Sequence, residues 1–304
     1  MYRFVACSAI AAAVLVAGAG AAPAPKVVAK IRTGSGPCGI AALDGKLWVA
    51  TMGSSTVESV DVRRNRRVGK PIEVGHQPCG LAAGAGSLWV DGFGTDTIER
   101  IDPRTRKVVA RIEVGHQPYD VLYAYGSVWS TDFGSHRVSR IDPRRNRVVA
   151  RIAVPGGPGG LGAANGSVWV GTVNGDAVHR IDPATNRRTR IAVGRTSPAW
   201  LATRDGQVWV GSPVGGYAAR IDPSTNQVVA TLDIEGGPAD GSFGPDGLVW
   251  MGLLRGQAVV RIDPATNTVV GRTRSGPGPF VVAQAFGDMW ASSWRGSDVW
   301  RLRP

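Results

Sequence analysis

The chain has 304 residues, 42 of them glycine and 10 tryptophan, and a formal net charge of +12. That length allows a large core or two domains, although a closed all-β architecture can reach it as one unit. Helix signals are nearly absent from the body of the chain, and nothing after the N-terminus is long and apolar enough to span a bilayer.

Residues 1–22 stand apart. Arg3 is followed by an apolar run from Phe4 to Val16 and then by small residues. This is the layout of a signal peptide with a cleavage region at Ala17-Gly18-Ala19 or Ala19-Gly20-Ala21; the alternative is an uncleaved anchor. No cysteine closely follows the run, which argues against a lipid anchor. The expectation is an exported protein, periplasmic or secreted, without a transmembrane segment once the signal is removed. Cys7 would leave with the signal, and Cys38 and Cys79 would then be an even pair in an oxidising compartment.

From residue 26 onward the chain repeats itself. Trp48, Trp89, Trp129, Trp169, Trp209, Trp250 and Trp290 are spaced by 41, 40, 40, 40, 41 and 40 residues, each within a short strand pattern such as SLWV or SVWV. About twelve residues after each comes a second landmark: Val60-Asp61, then Ile-Asp-Pro at Ile101, Ile141, Ile181, Ile221 and Ile262, and finally Leu302-Arg303-Pro304.

Four strands can be read in each unit. In Val114–Pro143 a first strand follows Gly-His-Gln-Pro, a turn falls at Gly126-Ser127, and the Trp129 strand comes next. The loop of residues 131–136 leads to a third strand ending at Asp142, and after an Asp-Pro turn Val148–Val154 forms the fourth. Apolar residues on both faces require sheets stacked on sheets. Seven such units, residues 26–304, predict an all-β, seven-bladed β-propeller of four-stranded antiparallel blades. The segment from Val27 to Ile31 matches the fourth strand of other units, and the chain ends as a third strand does. The N-terminal strand should therefore complete the last blade and close the ring, which argues against the alternative of a straight solenoid.

Residues 168–194, VWVGTVNGDAVHRIDPATNRRTRIAVG, resemble the YVTN-type propeller repeat, as do five other units. The resemblance covers nearly all residues after 25, with Trp where that family often has Tyr. It implies an exported propeller of mostly unassigned biochemical role. More distantly the chain resembles streptogramin (virginiamycin B) lyases. That resemblance implies a His with carboxylates and magnesium late in the chain, whereas no His follows His179 here.

In a propeller the loops before each first strand and after each second strand share one face, here called upper. Blades 2 and 3 are the least uniform there, offering His76, Asp91, Phe93, His116, Tyr119, Asp120, Asp132, Phe133 and His136, with Gln77 and Gln117 beside them. These predict a polar and aromatic ligand site; the bland alternative is turn capping and packing. No spacing forms a metal signature, so no metal ligand and no catalytic residue is assigned. The cofactor is unknown and none is required, although His and Asp would suit a divalent metal.

Cys38 and Cys79 each precede their Trp by ten residues in matching Pro-Cys-Gly contexts. They predict a disulfide between the inner strands of blades 1 and 2, against the alternative of two free thiols. The excess charge gathers in the turns after the third strands: Arg63, Arg64, Arg66 and Arg67; Arg104, Arg106 and Lys107; Arg144, Arg145 and Arg147; Arg187, Arg188 and Arg190. This predicts a basic arc on the lower rim for an anionic polymer or nucleic acid, or else a merely solvated surface.

The resulting expectation is an exported, non-catalytic, monomeric propeller. It would bind a small molecule or protein at the upper face, or an anionic envelope polymer at the rim. The alternative is a streptogramin lyase-like or other metal-dependent lyase or hydrolase.

Overall fold

The computed structural model describes residues 24–304; the segment expected to be a signal peptide, residues 1–22, lies outside the described residues. Seven four-stranded antiparallel sheets surround a central channel. In six of them the strands follow chain order from channel to rim. The seventh takes three strands from the C-terminal end, Pro279–Ala285, Asp288–Ser293 and Asp298–Arg303, and its outer strand from Lys26–Arg32. The pairing runs from Lys26 opposite Arg303 to Arg32 opposite Asp298, with an irregularity near Val28. The ring is thus closed by the N-terminal strand.

The repeated tryptophans sit on the second strand of each blade, and all seven are fully buried between neighbouring sheets. In five of them the indole N–H donates to the backbone carbonyl five residues earlier, as Trp129 does to Ala124 at 3.1 Å and Trp169 to Ala164 at 3.1 Å. In those five the deep burial of a large aromatic is eased because its one polar atom finds a partner.

A second device rivets blade to blade. Arg100 lies with its guanidinium 5.1 Å from the Trp89 ring centre and donates to Pro143 O at 2.9 Å and Asn146 Oδ1 at 3.0 Å in the next blade. Arg140, Arg180 and Arg301 repeat the arrangement over Trp129, Trp169 and Trp290, reaching Asn186, Asn226 and Asn65. Arg220 makes the same bonds to Pro264 and Asn267. Each receiving Asn has φ near +50° to +60°, a left-handed backbone that Asn tolerates.

Between blades 1 and 2 the partners are exchanged. Ser59 stands where the other blades have Arg, and Arg106 stands where blade 1 and blades 3 to 6 have Asn. Arg106 reaches back, 5.1 Å from the Trp48 ring, and donates to Ser59 Oγ at 2.9 Å and Lys70 O at 2.5 Å.

Candidate functional site in the central channel

The inner strands all begin with Pro or just after it, so the residues one and two places beyond that Pro form rings around the top of the channel. The first ring holds Cys38, Cys79 and Tyr119, then Gly159, Ala199, Ala239 and Phe280. The second holds Asp120, Trp200 and Asp240 among smaller residues.

Three aromatic side chains meet across this top. Tyr119 packs edge-on against Trp200 with ring centres 5.1 Å apart, and Trp200 packs edge-on against Phe280 at 4.6 Å. They come from blades 3, 5 and 7, which share no edge, so their contact spans the channel itself. Phe93 and Phe133 extend the cluster outward from Tyr119 at 5.6 and 6.1 Å, and Trp294 extends it from Phe280 at 6.3 Å. With Trp200 only 6% and Phe280 only 4% exposed, these rings close the upper mouth.

The same cluster takes in the Cys38–Cys79 disulfide, with Cα atoms 5.0 Å apart. The two inner strands approach closely there because Gly39 N–H donates to Cys79 O at 2.8 Å. A Cβ on Gly39 would stand 2.2 Å from that oxygen, so only glycine fits.

Beneath the rings is a cavity of about 510 Å³. Its wall includes Tyr119, Asp120, Trp200 and Asp240 above, and Thr203, Arg204, Phe243 and Gln284 towards the lower ends of the inner strands. Arg204 and Gln284 are exposed, so the cavity opens on the lower face. Arg204 lies over the Phe243 ring with its guanidinium 4.2 Å from the ring centre.

Two carboxylates stand in the wall. Asp120 accepts from its neighbour Val121 N–H at 2.8 Å and from Leu161 N–H in blade 4 at 2.7 Å, bridging two inner strands. Asp240 is held similarly by Leu201 and Gly241 N–H groups. Burial pushes the Asp120 carboxyl up to about 7. Burial, and then the Asp120 charge, push Asp240 well above the usual carboxylate range. Tyr119 is pushed up to about 12, by burial first and then by Asp91 and Asp120.

The structure divides the residues expected on the upper face. Phe93, Tyr119, Asp120 and Phe133 join the channel cluster or its wall. Asp91 lies just behind, fully buried, accepting from Cys79 N–H at 2.6 Å and Gly80 N–H at 3.0 Å; burial raises its pKa well above normal. The others do not line the cavity. Asp132 is buried within blade 3, receiving Gly115 N–H at 2.9 Å, Ser139 Oγ at 2.6 Å and Ser130 Oγ at 3.0 Å, and burial raises its pKa. His76 is exposed. His116 pairs on the surface with Asp96 at 2.7 Å, and His136, also exposed, accepts Gly157 N–H at 3.1 Å. His179 is buried against Arg188 at 2.7 Å, and burial followed by the charges of Arg188 and Arg190 depresses its pKa to about 4.

Trp200, Asp240 and Phe280, along with Thr203, Arg204, Phe243, Gln284 and Trp294, belong to the cavity and its aromatic closure but are not singled out by the sequence. Ten tryptophans less seven in the repeat leaves Trp200, Trp294 and Trp300 to be explained, which was the available signal.

The basic turns are partly engaged. Arg64 pairs with Asp61 at 2.8 Å, Arg67 with Glu58 at 2.8 Å and Arg145 with Asp142 at 3.3 Å. Arg106 is the blade rivet and Arg188 meets His179. Arg63, Arg66, Arg104, Lys107, Arg144, Arg147 and Arg187 are exposed on the lower rim.

No family model matches the chain, and no curated protein does. Solved structures do. A virginiamycin B lyase from Staphylococcus aureus superposes with a TM-score of 0.78 at 15% identity, covering 91% of this chain and 98% of that one. Kuenenia stuttgartiensis hydrazine synthase gives 0.74 at 18% identity over 88% and 96%, and the WD40 propeller domain of Doa1 gives 0.77 at 13% over 91% and 96%. At such identities the likeness is one of fold, and the fold is the seven-bladed β-propeller.

Proposed function

We propose that this protein is an exported ligand-binding propeller whose ligand enters the central cavity from the lower face. The observation that carries this reading is the channel's asymmetry: aromatic rings close the top, while a cavity with carboxylates in its wall opens below. A site that joins apolar walls to a few fixed polar groups is the usual form of a small-molecule pocket. The disulfide and the absence, among the described residues, of a helix able to cross a membrane are compatible with export. Several solved neighbours are lyases, and one of these is a catalytically inactive variant crystallised with Quinupristin. None of the four histidines of this chain lines the cavity, so we read the site as one for binding.

The test is native mass spectrometry of the protein purified from its own host, with thermal shifts against a small-molecule panel. A Gln284→Trp variant, which narrows the lower mouth from an exposed position, serves as the control. Ligands that stabilise the wild type and fail with the variant support the reading. Ligands indifferent to that block would place binding elsewhere and overturn it.

A further inference from the structure

Building on that cavity reading, we infer that the ligand is an organic ammonium cation, held by Asp120 and Asp240 against the Tyr119 and Trp200 rings. In a chain of net charge +12, two carboxylates lie in the wall of the one central cavity, and the partners identified for them are backbone N–H groups. Among the described residues, the ion pairs within 4 Å involve neither. Asp120 and Asp240 are half-buried, a setting in which a carboxylate gains from a cationic partner, and the basic side chain in the wall, Arg204, is turned onto Phe243. It also lies four residues along the strand from Trp200, about 13 Å by strand rise.

The carboxylates retain acceptor capacity. Each Asp120 oxygen receives one backbone N–H, Oδ1 from Val121 and Oδ2 from Leu161, and a carboxylate oxygen can accept two hydrogen bonds. The remaining wall favours an organic cation over a metal ion. No group of three or more His, Cys, Asp or Glu that could hold a metal ion occurs among the described residues. Aromatic rings and aliphatic side chains instead suit a weakly hydrated ammonium.

Calorimetry at pH 8 with benzylamine and its neutral counterpart benzyl alcohol tests this, using wild type, Asp120→Asn, Asp240→Asn and Gln284→Trp. Benzylamine should bind at least ~10-fold more tightly than benzyl alcohol, the scale of one charge-assisted contact, and either Asn variant should erase the preference. Should an Asn variant fail to fold, the wild type decides: benzylamine should weaken from pH 8 to pH 5 as the carboxylates take up protons. The other charged or titratable groups facing them are Arg204 and Tyr119, the latter pushed up to about 12 by burial and so neutral throughout that range, with Asp91 behind. Equal binding of both probes, blocked by Gln284→Trp, would overturn the cation assignment and leave the cavity reading standing. Absence of benzylamine binding also overturns the assignment, and benzylamine binding untouched by Gln284→Trp overturns both readings.

Discussion

Replacing Arg106 with Asn tests the exchanged rivet between blades 1 and 2 without disturbing the turn, because Asn accepts the same left-handed backbone, φ +57° in Arg106. The substitution removes a guanidinium stacked 5.1 Å from the Trp48 ring and donating to Ser59 Oγ and Lys70 O. A cation–π contact at a partly exposed site is worth about 0.5–1 kcal/mol, and hydrogen bonds from a charged donor about 1.5 kcal/mol each when well shielded. Arg106 is only half-buried, so the loss should be about 2 kcal/mol, or a fall of roughly 3–4 °C in Tm for a chain of this size. Burial has already lowered the Arg106 pKa, in keeping with a guanidinium that has given up part of its hydration.

The sharper measurement is a double-mutant cycle by urea or thermal unfolding. Ser59→Arg alone sets two guanidiniums over one indole and should destabilise. Ser59→Arg with Arg106→Asn rebuilds the arrangement of the other blades and should recover at least ~1 kcal/mol beyond additivity. Strict additivity, or an Arg106→Asn protein as stable as wild type, would falsify the rivet as a stabilising contact.

Other outcomes follow from the same structure. Replacing Cys38 and Cys79 together by Ser should cost about 2–4 kcal/mol, seen as a lowered unfolding midpoint, and mass mapping of non-reduced wild-type peptides should recover the two as one linked pair. Ile31→Ala, in the closing strand where Ile31 is 3% exposed and packs with Trp290 and Val299, should cost about 2–4 kcal/mol; a neutral result would mean the closing strand adds little. The raised Asp120 and Asp240 carboxyls make the folded state hold protons that the unfolded chain has released. Their contribution to stability is therefore present below the usual carboxylate pKa and is lost as pH rises through about 7. His179, depressed to about 4, acts oppositely between about pH 4 and 6.5. The Asp effect is best read as a difference: Asp120→Asn should be relatively more stable than wild type at pH 8 than at pH 5. A constant difference across that range would show that Asp120 is not desolvated.

The architecture was legible because its signals are local and recur. A Trp every 40 or 41 residues and an Asp-Pro turn after each third strand mark a blade whatever surrounds it, and the phase of the two chain ends is enough to predict ring closure. The pairing of Cys38 with Cys79 was legible for the same reason, since equal positions in adjacent repeats are neighbours in space. The cavity was less so. Tyr119, Trp200 and Phe280 belong to three separate blades and meet only because the ring curves back on itself, so no window along the chain contains them together. Reading loops by composition drew attention to His76, His116 and His136, which are conspicuous in sequence but stand out on the surface. Asp240 escaped notice among small residues, although it occupies the same place in its blade as Asp120. The exchange of Ser59 and Arg106 leaves a sequence trace, the Ile-Asp-Pro turn without Asn following the blade without Arg. Its meaning depends on knowing that those positions touch.

That exchange bears on how seven similar sheets find their order. A repeat chain risks docking the wrong neighbours while it folds, because each blade offers nearly the same face. If a blade carrying the usual Arg docked against blade 2, its guanidinium would meet that of Arg106, and the two like charges would repel. Blade 1, with Ser59, would in turn leave the Asn turn of blades 3 to 6 without its donor. The junction of blades 1 and 2 therefore works as an address within an otherwise repetitive chain, fixing where the circle of blades begins.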